Sequence, residues 1–116
     1  MFNYTNIKSL NLSGRNTSNV TGMSSMFSDA KIENLNVSNW DTSNVENMNY
    51  IFHDTSLKNL DLSTWDIRNV KNLEYAFYGN DNLITLDLSN RDTRSVEKMT
   101  YMFSYSNNLE KIYAST

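Results

Sequence analysis

Phenylalanines recur along this chain at a nearly fixed interval: Phe27, Phe52, Phe77 and Phe103 stand 25, 25 and 26 residues apart. Val20, Val45, Val70 and Val96 keep the same spacing, as do Leu10, Leu35, Leu60 and Leu86. Met23, Met48, Leu73 and Met99 follow it too, and Ile7, Ile32, Leu57, Leu83 and Leu109 open successive units. A period of this length restricts the chain to architectures in which one small unit repeats and buries its apolar face against the next copy. The unit reads L-x-x-L-[ND]-L-S-x-W-D-T-x-x-V-x-x-M-x-Y-M-F, followed by a polar loop. One extra residue falls after Phe77 and another after Phe103, in loops containing Gly79 and Asn107-Asn108, where insertions are tolerated.

Two periodicities divide each unit. Leu60-Asp61-Leu62-Ser63 alternates apolar and polar residues and predicts a short strand. From Val45, the apolar residues Met48, Ile51 and Phe52 follow at offsets 3, 6 and 7. On a helix these span about 120° of one face, a core stripe. Asp41-Thr42-Ser43 precedes it, and Ser43 to Glu46 has the spacing of a capping box. The expected fold class is therefore α/β: a leucine-rich-repeat-like solenoid of about four strand-turn-helix repeats, with a parallel sheet on one face and short helices on the other. The repeats run 7–31, 32–56, 57–82 and 83–108, with a partial repeat at 109–116, all within one domain, 1–116. Met1-Phe2 is in phase with Met26-Phe27, Leu109 to Ser115 reads as the strand of a fifth unit, and no polar cap is visible at either end. A piece of a longer array is the expectation.

Composition excludes several functions. There is no Cys, hence no disulfide framework, zinc knuckle or thiol nucleophile. A net charge of −3 argues against nucleic acid as a partner. No apolar run approaches the ~18 residues of a membrane span. The first residues lack the basic and apolar regions of a signal peptide, so neither membrane insertion nor targeting is expected from this segment. With 39% hydrophobic residues, 19 Asn, 15 Ser and 10 Thr, the chain approaches disordered composition. The repeat grid resolves this, because the apolar residues take the inward positions while Asn, Ser and Thr fill turns and the sheet face.

Leu-Asp-Leu-Ser-Thr-Trp-Asp (60–66) and Asp-Thr-Ser-Asn-Val-Glu-Asn-Met-Asn-Tyr-Ile-Phe (41–52) resemble the repeat of BspA-family leucine-rich repeat surface proteins of bacteria, including the lipoprotein-type arrays of mollicutes. The resemblance covers residues 7–113. It implies an extracellular, surface-displayed, non-catalytic array that adheres to host or bacterial proteins. Two departures stand out. Family members often carry Cys after the helix Phe, where this chain has Ser28, His53, Tyr78 and Ser104. The Trp position holds Arg15 in the first unit and Arg91 in the fourth.

Equivalent positions of a repeat stack into columns, and four columns stand out. Asn11, Asn36, Asp61 and Asp87, with Tyr113, lie on the strand face beside Ser13, Ser38, Ser63 and Ser89, as a ligand platform or a solvated sheet surface. Asp61 and Asp87 alone are too few for a hard-cation site, so no metal is expected. Arg15, Trp40, Trp65 and Arg91 form a second column, either a grip for a sugar or aromatic anchor or a closure of the core edge. Tyr50, Tyr75 and Tyr101, with Ser25, lie 140° from the core stripe on a helix, as contact residues or as a mutually packed ladder. Asn16, Asp41, Asp66 and Asp92 fall where a turn meets the helix and read as caps. His53, the only histidine, reads as an exposed loop residue. No residues break the repeat and converge as a catalytic site would, so no enzyme and no cofactor are expected.

These features point to a non-catalytic binding module that contacts a protein or glycan on a host or bacterial surface. The alternative is a structural spacer that self-associates through uncapped ends. Display at the cell surface follows from the resemblance alone.

Overall fold

Two positions recur with left-handed backbone in every unit, and they decide what the Val-to-Phe segments become. Ser25, Tyr50, Tyr75 and Tyr101 have φ of 57°, 60°, 56° and 56°. Four residues later Asp29, Asp54, Gly79 and Tyr105 have φ of 58°, 51°, 74° and 59°. A residue in this conformation turns the chain and ends an α-helix. The structure, a computed structural model, describes residues 2, 4–88, 91–109 and 111–114, with 87 and 111–114 as backbone only. Among these residues no helix forms, which overturns the expected α/β, leucine-rich-repeat-like solenoid of strand-turn-helix repeats, with its helical layer and its helix caps.

The segments are runs of turns. The amides of Met26, Ile51, Ala76 and Met102 donate to the carbonyl three residues back, at 3.1–3.3 Å. Those of Ser28, His53, Tyr78 and Ser104 do the same to Ser25, Tyr50, Tyr75 and Tyr101. Alternate amides serve the stack instead. Met23, Ser25, Phe27 and Asp29 donate to the carbonyls of Asn47, Asn49, Ile51 and His53 at 2.7–3.0 Å, and both later layers repeat the pattern. In the second layer every amide from Met48 to Asp54 thus has a partner without a helix, as burial demands. Apolar residues at offsets 0, 3, 6 and 7 suit successive three-residue turns as well as they suit a helical face, which is why the periodicity misled.

On the opposite side of each layer, β1 (Ser9–Asn11) pairs parallel with β2 (Asn34–Asn36), with Leu10 opposite Leu35. In the same way β3 (Thr85–Leu88) pairs with β4 (Lys111–Ala114), with Leu86 opposite Ile112. Leu35 and Leu86 point inward while Asn34, Asn36 and Thr85 are exposed, the alternation a half-buried strand requires. The third unit adds only a bridge between Asn34 and Asn59. The strand expected at Leu60–Ser63 does not form, and the expected continuous sheet is two separate pairs. Four to five layers at about 4.8 Å each come to roughly 20 Å, close to the shortest dimension of the 32 × 30 × 19 Å molecule.

The core is columnar. Phe2, Phe27, Phe52, Phe77 and Phe103 stack with ring centroids 5.6, 5.5, 5.6 and 5.7 Å apart. Phe27 and Phe52 are fully buried, each contributing about 1.5–3 kcal/mol. Trp40 and Trp65 lie parallel at 6.0 Å, and their Nε1 atoms donate to the carbonyls of Leu12 and Val37. A polar column crosses the interior beside them. Asn80, fully buried, donates from Nδ2 to Phe52 O at 2.6 Å, accepts from the Thr55 hydroxyl, and donates its backbone amide to Ser106 Oγ.

The layers do not join equally well. Between the first three, Thr17 Oγ1 donates to Asp41 O and accepts from Asp41 N, and Thr42 does the same with Asp66. Asn44 and Asn69 donate from Nδ2 to Ser18 O and Ser43 O at 2.7 and 2.6 Å. At the joint between the third and fourth layers Ile67 replaces the threonine, Ser95 replaces the asparagine, and Arg91 replaces the tryptophan. Ile67 has no hydroxyl to bridge Asp92. The turn side of this joint stays closed, with Leu73, Tyr75, Phe77 and Gly79 donating to Lys98, Thr100, Met102 and Ser104. Among the described residues no backbone hydrogen bond links 60–63 to 85–88. The joint is a wedge, closed on one side and parted on the other.

Candidate functional site

The left-handed tyrosines build a continuous aromatic surface. Because Tyr50, Tyr75 and Tyr101 occupy the same turn position in successive layers, their rings superpose. Tyr50 and Tyr75 stack at 4.7 Å and 7°, and Tyr101 tilts onto Tyr75 at 5.2 Å. A second row runs alongside. His53 stacks on Tyr78 at 4.9 Å and 6°, and Tyr105 tilts onto Tyr78 at 5.2 Å. The rows touch through Tyr50–His53 at 5.2 Å and Tyr75–Tyr78 at 5.3 Å. Six rings thus form one plate, half-buried at Tyr50, Tyr75 and Tyr78 and open at Tyr101 (56% exposed) and Tyr105 (66% exposed). Partial burial and neighbouring phenols push the Tyr75 and Tyr78 hydroxyls up from their ordinary value, so both remain uncharged donors.

The other expected site residues lie elsewhere. Trp40 and Trp65 are core residues, 5% and 3% exposed, and close the edge of the stack. Arg15 is exposed, and Arg91 donates from Nη2 to Leu62 O at 2.8 Å, taking over the bond that an indole N–H makes in the layers before. Asn11, Asn36 and Asp61 stand on the strand face, but each accepts the backbone amide of the serine two residues on, at 2.9–3.0 Å. Their side chains close turns. Hydrogen bonds from Ser63 hold Asp61 below the usual carboxylate range, with a smaller contribution from Arg91. The side chain of Asp87 and residue Ser89 lie outside the described residues.

The carboxylates expected to cap helices close turns of the same kind. Asp41 accepts from Ser43, Asp66 from Arg68 and Asp92 from Arg94, and all three are held below the usual carboxylate range by those bonds. Asp92 is lowered to about 2.

His53 is not the exposed loop residue its isolation in the sequence suggested. Its side chain is 18% exposed, enclosed by Tyr50, Tyr75 and Tyr78. Its Nδ1 is buried without a hydrogen bond, 3.2 Å from Asp54 Oδ2 and 3.9 Å from Asp29 Oδ2. These three are the one group among the described residues that brings three metal-ligating atoms within 4.8 Å of one another. One nitrogen and two carboxylates fall short of a closed tetrahedral zinc site and of the six oxygens that calcium takes. Tyr78, Tyr105 and His53 were missed as part of the plate because they leave the consensus. The signal was their position, His53 and Tyr78 directly after the phenylalanine and Tyr105 two residues after it, where the chain departs from its own pattern.

No curated protein and no solved structure gives a significant match to the chain. A family match spans residues 1–115, nearly its whole length, and the protein belongs to the family described as Mycoplasma protein of unknown function, DUF285.

Proposed function

We propose that this protein is a non-catalytic binding module, displayed at the bacterial surface, that contacts a protein or glycan ligand through the aromatic plate. The observation that carries this reading is the contiguity of six rings from two rows, two of them more than half exposed. Tyrosine supplies contact area at low conformational cost and keeps a hydroxyl for the ligand, and it is enriched where interfaces concentrate their binding energy. The resemblance of the repeat to BspA-type surface arrays supports the surface location, and the Mycoplasma family supports a bacterial setting. Repetition along the stack lets weak contacts act together.

The test is adhesion of protein-coated beads to cultured epithelial cells, with and without prior enzymatic removal of cell-surface glycans. Asparagine is the substitution of choice, because it tolerates left-handed backbone. A Tyr50→Asn/Tyr75→Asn/Tyr101→Asn variant that keeps the wild-type near-ultraviolet dichroism of its tryptophans is expected to lose at least about ten-fold in bead retention, equivalent to about 1.4 kcal/mol. Retention unchanged in that folded variant, or wild-type beads no better than bare ones, removes the proposal.

A further inference from the structure

The parted side of the wedge encloses a cavity of about 230 Å³. Its walls are largely apolar: Leu62, Trp65, Ile67 and Phe77 from the third layer, and Leu88 and Met102 from the fourth. Arg91 enters this lining, and its Nε is buried without a hydrogen-bond partner. Three departures from the repeat fall at this joint, since Ile67 and Ser95 stand where the earlier layers have Thr and Asn, and Arg91 stands where the second and third layers have Trp. The first two remove cross-layer hydrogen bonds, and the third removes an indole from the Trp40–Trp65 stack. An outer cleft lined by Trp65, Asp66, Ile67, Arg68, Arg91 and Asp92 shares Trp65, Ile67 and Arg91 with the cavity. The two carboxylates of that cleft are already paired, Asp66 with Arg68 and Asp92 with Arg94.

We propose that this cavity binds a small planar aromatic carboxylate, its ring continuing the Trp40–Trp65 stack and its carboxylate accepting from Arg91 Nε. Volume, shape and charge each bear on the occupant. An apolar cavity of about 150 Å³ is enough to hold benzene, so 230 Å³ accommodates one or two fused rings. The space lies beside Arg91, which is slimmer than the tryptophan it replaces, and its Trp65 wall selects a flat ring. A buried guanidinium N–H without an acceptor selects an anion, and a carboxylate matches its geometry. The site is independent of the tyrosine plate, which lies on the closed side of the wedge.

The chain has only two tryptophans, so their indole N–H resonances report the site directly in an ¹⁵N-labelled sample. Indole-3-carboxylate is expected to shift the Trp65 signal saturably and to move that of Trp40 less. Uncharged indole is expected to bind about ten-fold more weakly, the loss of one charge-assisted hydrogen bond. Arg91→Trp fills the cavity, so it is expected to abolish the titration and to raise the melting temperature. Arg91→Leu leaves an apolar cavity without the cation and is expected to bind both probes alike. No saturable shift with up to about 5 mM indole-3-carboxylate, where a site of about 1 mM affinity is mostly filled, overturns the proposal. So does an unchanged titration in the folded Arg91→Trp variant.

Discussion

Asp41, Asp61, Asp66 and Asp92 each use a carboxylate oxygen to hold the amide two residues on, and this gives the protein a defined response to acid. All four are held below the ordinary carboxylate value of 3.8, and Asp92 is lowered to about 2 by the Arg94 side chain and amide. A carboxyl whose value is lower in the folded chain than in the unfolded one contributes stability above its unfolded value. That stability is lost as pH falls through the folded value. The melting temperature is therefore expected to be flat with respect to these groups above pH 5 and to fall between about pH 4 and pH 2. Asp92→Asn keeps the acceptor of the turn but cannot titrate, and is expected to make that fall shallower. An equally steep fall in this variant would assign the acid sensitivity to other groups.

At the scale of the element, the turns depend on backbone conformations that most of their side chains do not prefer. Gly79 has φ +74°, and a Cβ built on it would stand 1.7 Å from Asp54 Oδ1. Gly79→Ala is expected to destabilise by about 1–3 kcal/mol, through left-handed strain and displacement of that carboxylate. In urea titrations the cost is expected to be smaller in an Asp54→Gly background, where the displaced group is gone. An equal cost in both backgrounds would leave strain as the sole cause. These elements also mark how far the sequence could be read. The inward columns of Val, Met and Phe were legible because burial repeats with the period. The replacement of helix by turns was not, because the deciding residues are Tyr50, Tyr75 and Tyr101, and tyrosine carries no signal for left-handed backbone. Their conformation follows from cross-layer hydrogen bonds that a window along one segment does not contain. The third strand is absent although Leu60–Ser63 alternates correctly, because it finds no ladder on either side: only Asn59 bridges to Asn34, and among the described residues no backbone bond reaches 85–88.

For the whole molecule, cohesion comes from columns that run across the layers, with phenylalanine stacking, threonine and asparagine bridges and alternate backbone amides acting in parallel. Each layer has little apolar area of its own, so its stability depends on its neighbours. The wedge is the place where three columns are interrupted together, and these interruptions were visible in the sequence as Ile67, Arg91 and Ser95 once the repeat was aligned. What they do jointly was not, since a cavity is a property of packing in three dimensions. The claim on which plate, wedge and cavity all rest is that the Val-to-Phe segments bond across layers and not along a helix. Scalar couplings through hydrogen bonds, measured by NMR, read this directly. The structure predicts a coupling from the Tyr75 amide nitrogen to the Thr100 carbonyl carbon, across the 3.0 Å bond between their layers. A coupling from Tyr75 to the carbonyl of Lys71, four residues back as in an α-helix, would contradict it.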